Sequence, residues 1–600
     1  MSRESGQLRA SQVITTYGPG SLLDLPEDSV IISGLESWGS TAKLPRIVEP
    51  RLAAKLQQIW DLSYRPALYA PPPAPDLPWQ PGPAMGARRF PRWFLTQPVH
   101  DGAGTRPGRT RRRRLVHRRD LDDRLRFDGD RVVPIRFVQA CPKGHISDIN
   151  WYRFAHGADN TCNRPLWLIE QGQGDLGELR VRCECGTGRN LADAMDASTF
   201  PLGACWGERP WLGADHKEEC GVPARLLTRT ASNAYFSQVM AVLSLPDRGT
   251  AVEKTVSEHW DDLQIVRDLA GLEFIKQKPR VAQALSPFDD HEVLKAIDAA
   301  RKGGSETRKV KLVELDAILA APEGYGDDQP VDPDFHVRRL PAKAWRRSAL
   351  SDPVRGVYQL HRLREVLALA GFTRFEAIVP DILGEYDTDV ESAALSIDAN
   401  WFPAVENRGE GIFIELDPDA IAEWVKREPV RDRFRSLMTG HDAWAKDRKS
   451  GREFPSGPYV LLHTLSHLLL QSLSLRCGYP ASSIRERIYV DLTEGRYGIL
   501  LYTASPDAEG TLGGLVQQAR HLELHLAHAL DLGALCSNDP ICAQHDPGQS
   551  LEERWLHGAA CHGCTLISET CCEMRNEYLD RALVIPVLGC ADAAFFTRQG

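Results

Sequence analysis

Tyr459-Val460-Leu461-Leu462-His463-Thr464-Leu465-Ser466-His467-Leu468-Leu469-Leu470-Gln471-Ser472-Leu473-Ser474-Leu475 is the most apolar stretch of the 600-residue chain. Its reading separates a membrane protein from a globular one. A bilayer span needs about 20 predominantly apolar residues. This stretch is shorter, and His463, Ser466, His467 and Gln471 interrupt it. Residues 458–475 therefore predict a buried helix. The opening Met1-Ser2-Arg3-Glu4-Ser5 is polar and lacks the apolar core of a secretory signal. A soluble, cytoplasmic protein is expected. An apolar fraction of 42% and a charged fraction of 26% are those of an ordinary folded chain, and the length predicts several domains.

Working outward, residues 487–491 and 498–503 predict strands, and residues 510–528 a helix leading into a cysteine cluster. Upstream, residues 12–17 and 29–32 have strand-like composition around the turn Tyr17-Gly18-Pro19-Gly20, and residues 50–62 have helical spacing. Residues 67–86 are proline-rich, which excludes helix and sheet interior, and residues 99–114 predict an exposed loop. Residues 132–138 predict a strand. Residues 233–245, 252–272, 289–320 and 355–369 predict helices, and residues 410–416 a strand. The expected fold class is mixed α/β (α+β), multidomain, with zinc-ribbon-like insertions. Its parts would be an N-terminal α/β segment (1–65), a Pro/Arg-rich loop region (66–130), a cysteine-rich region (131–225), a mainly helical middle domain (226–450) and a C-terminal domain (451–600).

A reducing compartment leaves the 14 cysteines an explanation other than disulfides. Twelve fall in two clusters, 141–220 and 536–572; only Cys477 and Cys590 stand apart. Short spacings let thiolates converge on one zinc ion. In the second cluster Cys561-His562-Gly563-Cys564 is a CxxC knuckle, and Cys542, Cys561, Cys564 and Cys572 are the expected ligands, with Cys536 in reserve for Cys542. In the first, Cys141-Pro142-Lys143-Gly144-His145 faces Cys183-Glu184-Cys185. One site from Cys141, Cys162, Cys183 and Cys185 is expected, with His145 competing for Cys162. A second ion would use Cys205 and Cys220. Closed thiolate sites of this kind are structural.

No GxxxxGK[ST], HExxH or GxSxG occurs in the sequence, so no catalytic residue is assigned and the expectation is a protein that is not an enzyme. The competing reading is a metal-dependent nuclease or phosphoesterase. His463 and His467, four apart on one helix face, would act with Asp507 beside Tyr502 and the glycines 510, 513 and 514. Net charge is −9, yet Arg111, Arg112, Arg113, Arg114, Arg118 and Arg119 form a basic run. It is a candidate contact for DNA phosphates without sequence preference.

Several blocks carry a family resemblance. They are residues 12–24 (Gln12-Val13-Ile14-Thr15-Thr16-Tyr17-Gly18-Pro19-Gly20 onward), Arg89-Phe90-Pro91, Cys141 to Asp148, Ser232-Asn233-Ala234-Tyr235-Phe236, Gly510 to Leu515, and Ala560 through Arg581. Together the sequence resembles DrmB proteins of DISARM anti-phage systems. The C-terminal blocks also resemble a domain fused to certain DNA helicases, where a four-cysteine zinc site follows the motor. The resemblance implies an accessory subunit that pairs with a helicase-like ATPase of the DrmA type and engages DNA. It supports Cys561, Cys564 and Cys572 as ligands and leaves Cys542 versus Cys536 open.

Overall fold

The computed structural model describes residues 8–597 apart from 27, 74–83, 98–99, 102–109, 159–160, 172–174, 197–199, 247–250, 302–308, 327–329, 331, 387–391, 399, 506–513 and 550–553. Its centre is an eight-stranded sheet. Phe236–Leu243, Val354–Thr373, Trp401–Leu416, Arg496–Ser505 and Ile484–Asp491 lie side by side in that order, each antiparallel to the next. Phe335–Arg339 also pairs with Val354–Thr373, and Ala67–Tyr69 joins Trp401–Leu416 in parallel. Successive side chains alternate between faces. Ile412, Ile414, Ile488, Val490, Ile499 and Leu501 share one core with the leucines of helix Gly457–Cys477. Phe413, Tyr489, Leu500 and Tyr502 pack on the other face with Leu315 and Ile318 of helix Val310–Leu319.

Covering both faces explains where sequence periodicity misleads. Residues 355–369, expected as a helix, lie within strand Val354–Thr373, and residues 233–245 contain strand Phe236–Leu243. A strand buried on both sides loses the polar/apolar alternation, and its leucine-rich run imitates helical spacing. The longest strands thus lie in the middle stretch expected to be mainly helical. Residues 12–17 err the other way: Ala10–Thr15 is a helix, with Val13 and Ile14 buried and the Gln12 side chain accepting from the Arg9 N–H at 2.9 Å. Burial of those two side chains overrides their β propensity. Helix Gly457–Cys477 forms as expected, and it begins at a Ser456 cap with proline in its first turn. Among the described residues no helix is long and apolar enough to cross a membrane.

A second eight-stranded sheet replaces the loop expected at 99–114 over residues 100–101 and 110–114. Thr110–His117 is an interior strand between Leu166–Gln171 and Trp93–Thr96, all antiparallel; residues 102–109 are outside the described residues. Three of the strand's four arginines find a partner, and the fourth, Arg111, is exposed. Arg113 donates to Glu170 at 2.6 Å, while Arg112 and Arg114 lie over the rings of Trp167 and Phe127 at 4.7 and 4.6 Å. Buried Leu115 and Val116 anchor the strand's far end.

The N-terminal segment, the first cysteine knuckle and the central sheet meet at Arg374, which is fully buried. Its guanidinium donates to the carbonyl oxygens of Gly20 (2.7 Å), Gly144 (2.9 Å) and Ala234. Gly20, at φ +84°, packs against Phe372 so closely that a Cβ would stand 2.3 Å from the ring. Tyr235 stacks on the same ring, 4.9 Å between centroids. Gly18-Pro19-Gly20 is thus a packing turn. Burial pulls the Arg374 guanidinium down to about 10, so it stays charged at neutral pH. Arg374→Met strands three buried carbonyls, and at about 1 kcal/mol or more each the expected loss is about 3 kcal/mol or more, read by denaturant unfolding. A loss within 0.5 kcal/mol would show that the three loops hold without it.

Candidate metal centres and a basic sheet face

Four groups of side chains converge among the described residues: Cys141/His145/Cys205/Cys220, His156/Cys162/Cys183/Cys185, Cys536/Cys542/Cys561/Cys564 and His463/His467/Glu486/Cys572. No two of the 14 cysteines are joined as a disulfide.

The site expected from Cys141, Cys162, Cys183 and Cys185 divides in two. Cys141 closes the hairpin Phe137–Ala140/Ile146–Ser147, whose turn is set by Gly144 at φ +86°. The Ala204–Pro223 bridge brings Cys205 and Cys220 to it. Cys141 Sγ lies 3.8 Å from Cys220 Sγ and 3.3 Å from His145 Nδ1. His145 Nε2 points away, 2.6 Å from Glu218, which in turn pairs with Arg209. An imidazole held this way offers its other nitrogen as a ligand. Cys162, Cys183 and Cys185 belong to the second sheet instead. Cys183 ends strand Leu179–Cys183, and its sulfur lies 3.7 Å from Cys162 Sγ. The fourth member is His156, at the end of helix Trp151–His156. Its Nδ1 donates to the Tyr152 carbonyl at 2.9 Å, and its Nε2 lies 3.2 Å from Cys185 Sγ. Sequence reasoning did not weigh His156; its position six residues before Cys162 was the available signal.

In the C-terminal group Cys536 takes the place expected for Cys572. Sulfur separations are 3.4 Å (Cys536–Cys561), 3.8 Å (Cys542–Cys564) and 3.7 Å (Cys561–Cys564). A tetrahedral zinc with 2.3 Å bonds requires sulfurs about 3.8 Å apart, so the donor set fits the ion. Backbone N–H groups of Asn538 and Gly563 donate to Cys536 and Cys561 at 3.4 and 3.3 Å. Cys572 is turned the other way, onto the histidines of helix Gly457–Cys477, because the Asn576 N–H holds its sulfur at 3.1 Å.

The thiols sense their crowding. A hydrogen bond from Cys542 holds Cys564 down at about 5 while Cys542 itself is pushed up. Cys141, receiving from Cys205 and beside His145, is held at about 4, while Cys205 is pushed up. Each cluster stabilises one thiolate at its neighbours' expense, and a divalent cation relieves that conflict by accepting all of them.

Of the arginine run, only Arg112 and Arg114 share an open sheet face. Trp167 stands opposite Arg114 on one side and Arg182 on the other; Ile169 stands opposite Arg112 and Arg180. Arg180 and Arg182 are exposed, so four arginines surround one tryptophan whose ring N–H donates to Glu184 at 3.1 Å. Arg111 and Arg113 occupy the opposite face, and Arg118 and Arg119 lie in the following 3-10 turn. His463 and His467 are fully buried and do not meet Tyr502, whose hydroxyl donates to Glu365 at 2.6 Å. Asp507, Gly510 and Gly513 lie outside the described residues.

Residues 9–236 match the family described as Domain of unknown function (DUF8724). Residues 465–565 match the MrfA Zn-binding domain, a span that contains Cys536, Cys542, Cys561 and Cys564 and stops before Cys572. The protein described as DISARM protein DrmB from Bacillus paralicheniformis is 31% identical over 492 residues, covering 77% of this chain and 82% of that relative. With cysteine geometry that fits zinc and a relative of this extent, the chain belongs to the DrmB family of DISARM proteins.

Proposed function

We infer that the chain is a non-catalytic, cytoplasmic subunit of an anti-phage DISARM complex that pairs with a helicase-like ATPase of the DrmA type and holds DNA through its phosphates. The observation that carries this reading is the basic face of the second sheet. Arg112 and Arg114 on one strand and Arg180 and Arg182 on another flank the strand between them that carries Trp167. Guanidinium groups on a rigid sheet suit phosphate oxygens, and an aromatic ring among them offers a stacking surface for an unpaired base. Contacts to phosphate carry no sequence information, which favours binding without sequence preference.

Zinc supplies the rigidity. We assign one ion each to Cys141/His145/Cys205/Cys220, His156/Cys162/Cys183/Cys185 and Cys536/Cys542/Cys561/Cys564. All three sets fill four positions with protein donors, as structural zinc does. The second group ends the strand that carries Arg180 and Arg182, so its ion would fix the basic face. For the partner surface, Leu535 and Ile541, 76% and 73% exposed, flank the first cysteine of the C-terminal group. Apolar side chains held outward on a metal-braced loop suit a protein contact. The nuclease reading has less support, because His463 and His467 are enclosed by protein groups and offer no open coordination position.

Arg180→Gln with Arg182→Gln is expected to weaken DNA binding by the co-purified pair. Two lost phosphate contacts lower the salt slope by about 1.8, measured by fluorescence anisotropy across a salt titration. An unchanged slope would remove this face from the interface. Cys564→Ser is expected to lose one zinc per chain by elemental analysis and to lower the unfolding midpoint. Leu535→Ser with Ile541→Ser should release a tagged helicase partner at unchanged zinc content; full retention of the partner would place the contact elsewhere.

A further inference from the structure

Helix Gly457–Cys477 turns His463 and His467 toward strand Ile484–Asp491. On that strand the helix-facing positions are Ile484, Glu486, Ile488 and Val490, so a carboxylate interrupts an otherwise apolar row. Glu486 Oε1 lies 3.0 Å from His463 Nε2 and 3.3 Å from His467 Nε2. From the C-terminal segment, Cys572 Sγ lies 3.0 Å from His463 Nε2. The four donor atoms all lie within 4.8 Å of one another. Both histidines are fully buried, and Glu486 and Cys572 are 4% and 7% exposed.

We propose that His463, His467, Glu486 and Cys572 form a fourth metal site, for a divalent first-row transition ion whose best match is zinc. The convergence of four buried donor atoms carries the argument. His467 Nδ1 lies 2.8 Å from the Thr565 carbonyl oxygen, which only accepts, so Nδ1 bears the proton. A neutral ring then presents its Nε2 lone pair to the carboxylate oxygen. Either a proton on Nε2 or a metal ion between the groups makes that contact favourable, and the other imidazole and the sulfur converge on the same point. His463 Nε2 faces both the carboxylate and the sulfur. Its Nδ1 has no hydrogen-bond partner among the described residues, and its polar contacts are made through Nε2. Two imidazoles, one carboxylate and one thiolate make a donor set of the borderline kind that zinc accepts, with bonds of about 2.0–2.3 Å.

The surrounding groups suit ligation. The Ser466 hydroxyl donates to Glu486 Oε2 and orients the carboxylate. The Asn576 N–H donates to the Cys572 sulfur and orients it toward the histidines. The Thr565 carbonyl fixes the His467 tautomer, the usual outer partner of a metal-bound histidine. Glu486 and Cys572 also line a cavity of about 190 Å³ together with Lys311, Arg485 and Glu573, which supplies a route by which an ion enters. Four protein donors close the coordination sphere, so the site is a clip joining helix, strand and C-terminal segment. It is distinct from the Cys536/Cys542/Cys561/Cys564 group and independent of DNA or partner binding.

Diffraction from crystals of the full-length protein, with anomalous differences collected at the zinc and neighbouring first-row absorption edges, tests the proposal. A peak enclosed by the four donors is expected. Glu486→Gln and Cys572→Ala should each lose one equivalent of metal by elemental analysis, while Cys564→Ser loses a different one, so that Cys564→Ser with Cys572→Ala loses two. Absence of an anomalous peak at this position at every edge overturns the proposal, whatever the variants do. So does a folded Cys572→Ala protein with the metal content of the unaltered chain.

Discussion

The Arg374 guanidinium spends its donors on the carbonyl oxygens of Gly20, Gly144 and Ala234, and the arrangement of the N-terminal half follows from that. A buried cation with no carboxylate partner is costly; here three peptide dipoles replace one counter-charge. Each carbonyl belongs to a different loop, so none can shift without stranding a donor. Phe372, two residues away, adds the shape constraint: Tyr235, Trp211 and Gly20 all pack on its ring. Gly144 lies inside the first cysteine knuckle, so the same contact fixes where Cys141 and His145 stand relative to the central sheet.

Metal groups then do for the periphery what apolar cores do for the centre. The core between the central sheet and helix Gly457–Cys477 is extensive. The segments carrying Cys205, Cys220, Cys536 and Cys561 consist of turns and isolated bridges, which bury little and need cross-links to hold one conformation. Helix Gly457–Cys477 connects the two regimes. Its leucines fill the core, while Gln471 donates to the Cys564 carbonyl at 2.9 Å and His467 contacts that of Thr565. The C-terminal cysteine loop is therefore seated directly on the most deeply buried helix.

Arginine on a strand serves two ends. Arg113, paired with Glu170, is consumed by the fold. Arg180 and Arg182, exposed on the next strand but one, are left for solvent or a ligand. The strand period of two separates these roles, so a contiguous basic run in sequence becomes two unlike faces in space.

Much was legible from residue type and spacing alone. The polar interruptions at His463 and His467 gave a buried helix, the cysteine spacing gave metal groups, and Cys561-His562-Gly563-Cys564 gave a knuckle, because each depends on neighbours in sequence. Which side chains share a group was not legible. His156, Cys536 and Glu486 reach their groups through chain reversals whose direction spacing does not encode, and Cys572 faces the histidines because the Asn576 N–H draws its sulfur that way. Strand Val354–Thr373 was hidden for a related reason: covering both faces erased the alternation that marks a strand. Sequence by itself determined which chemistry the chain carries. Tertiary structure decided which residues share it, because convergence of donors is a property of long-range packing, and the pattern of local periodicity is silent about what lies across a sheet.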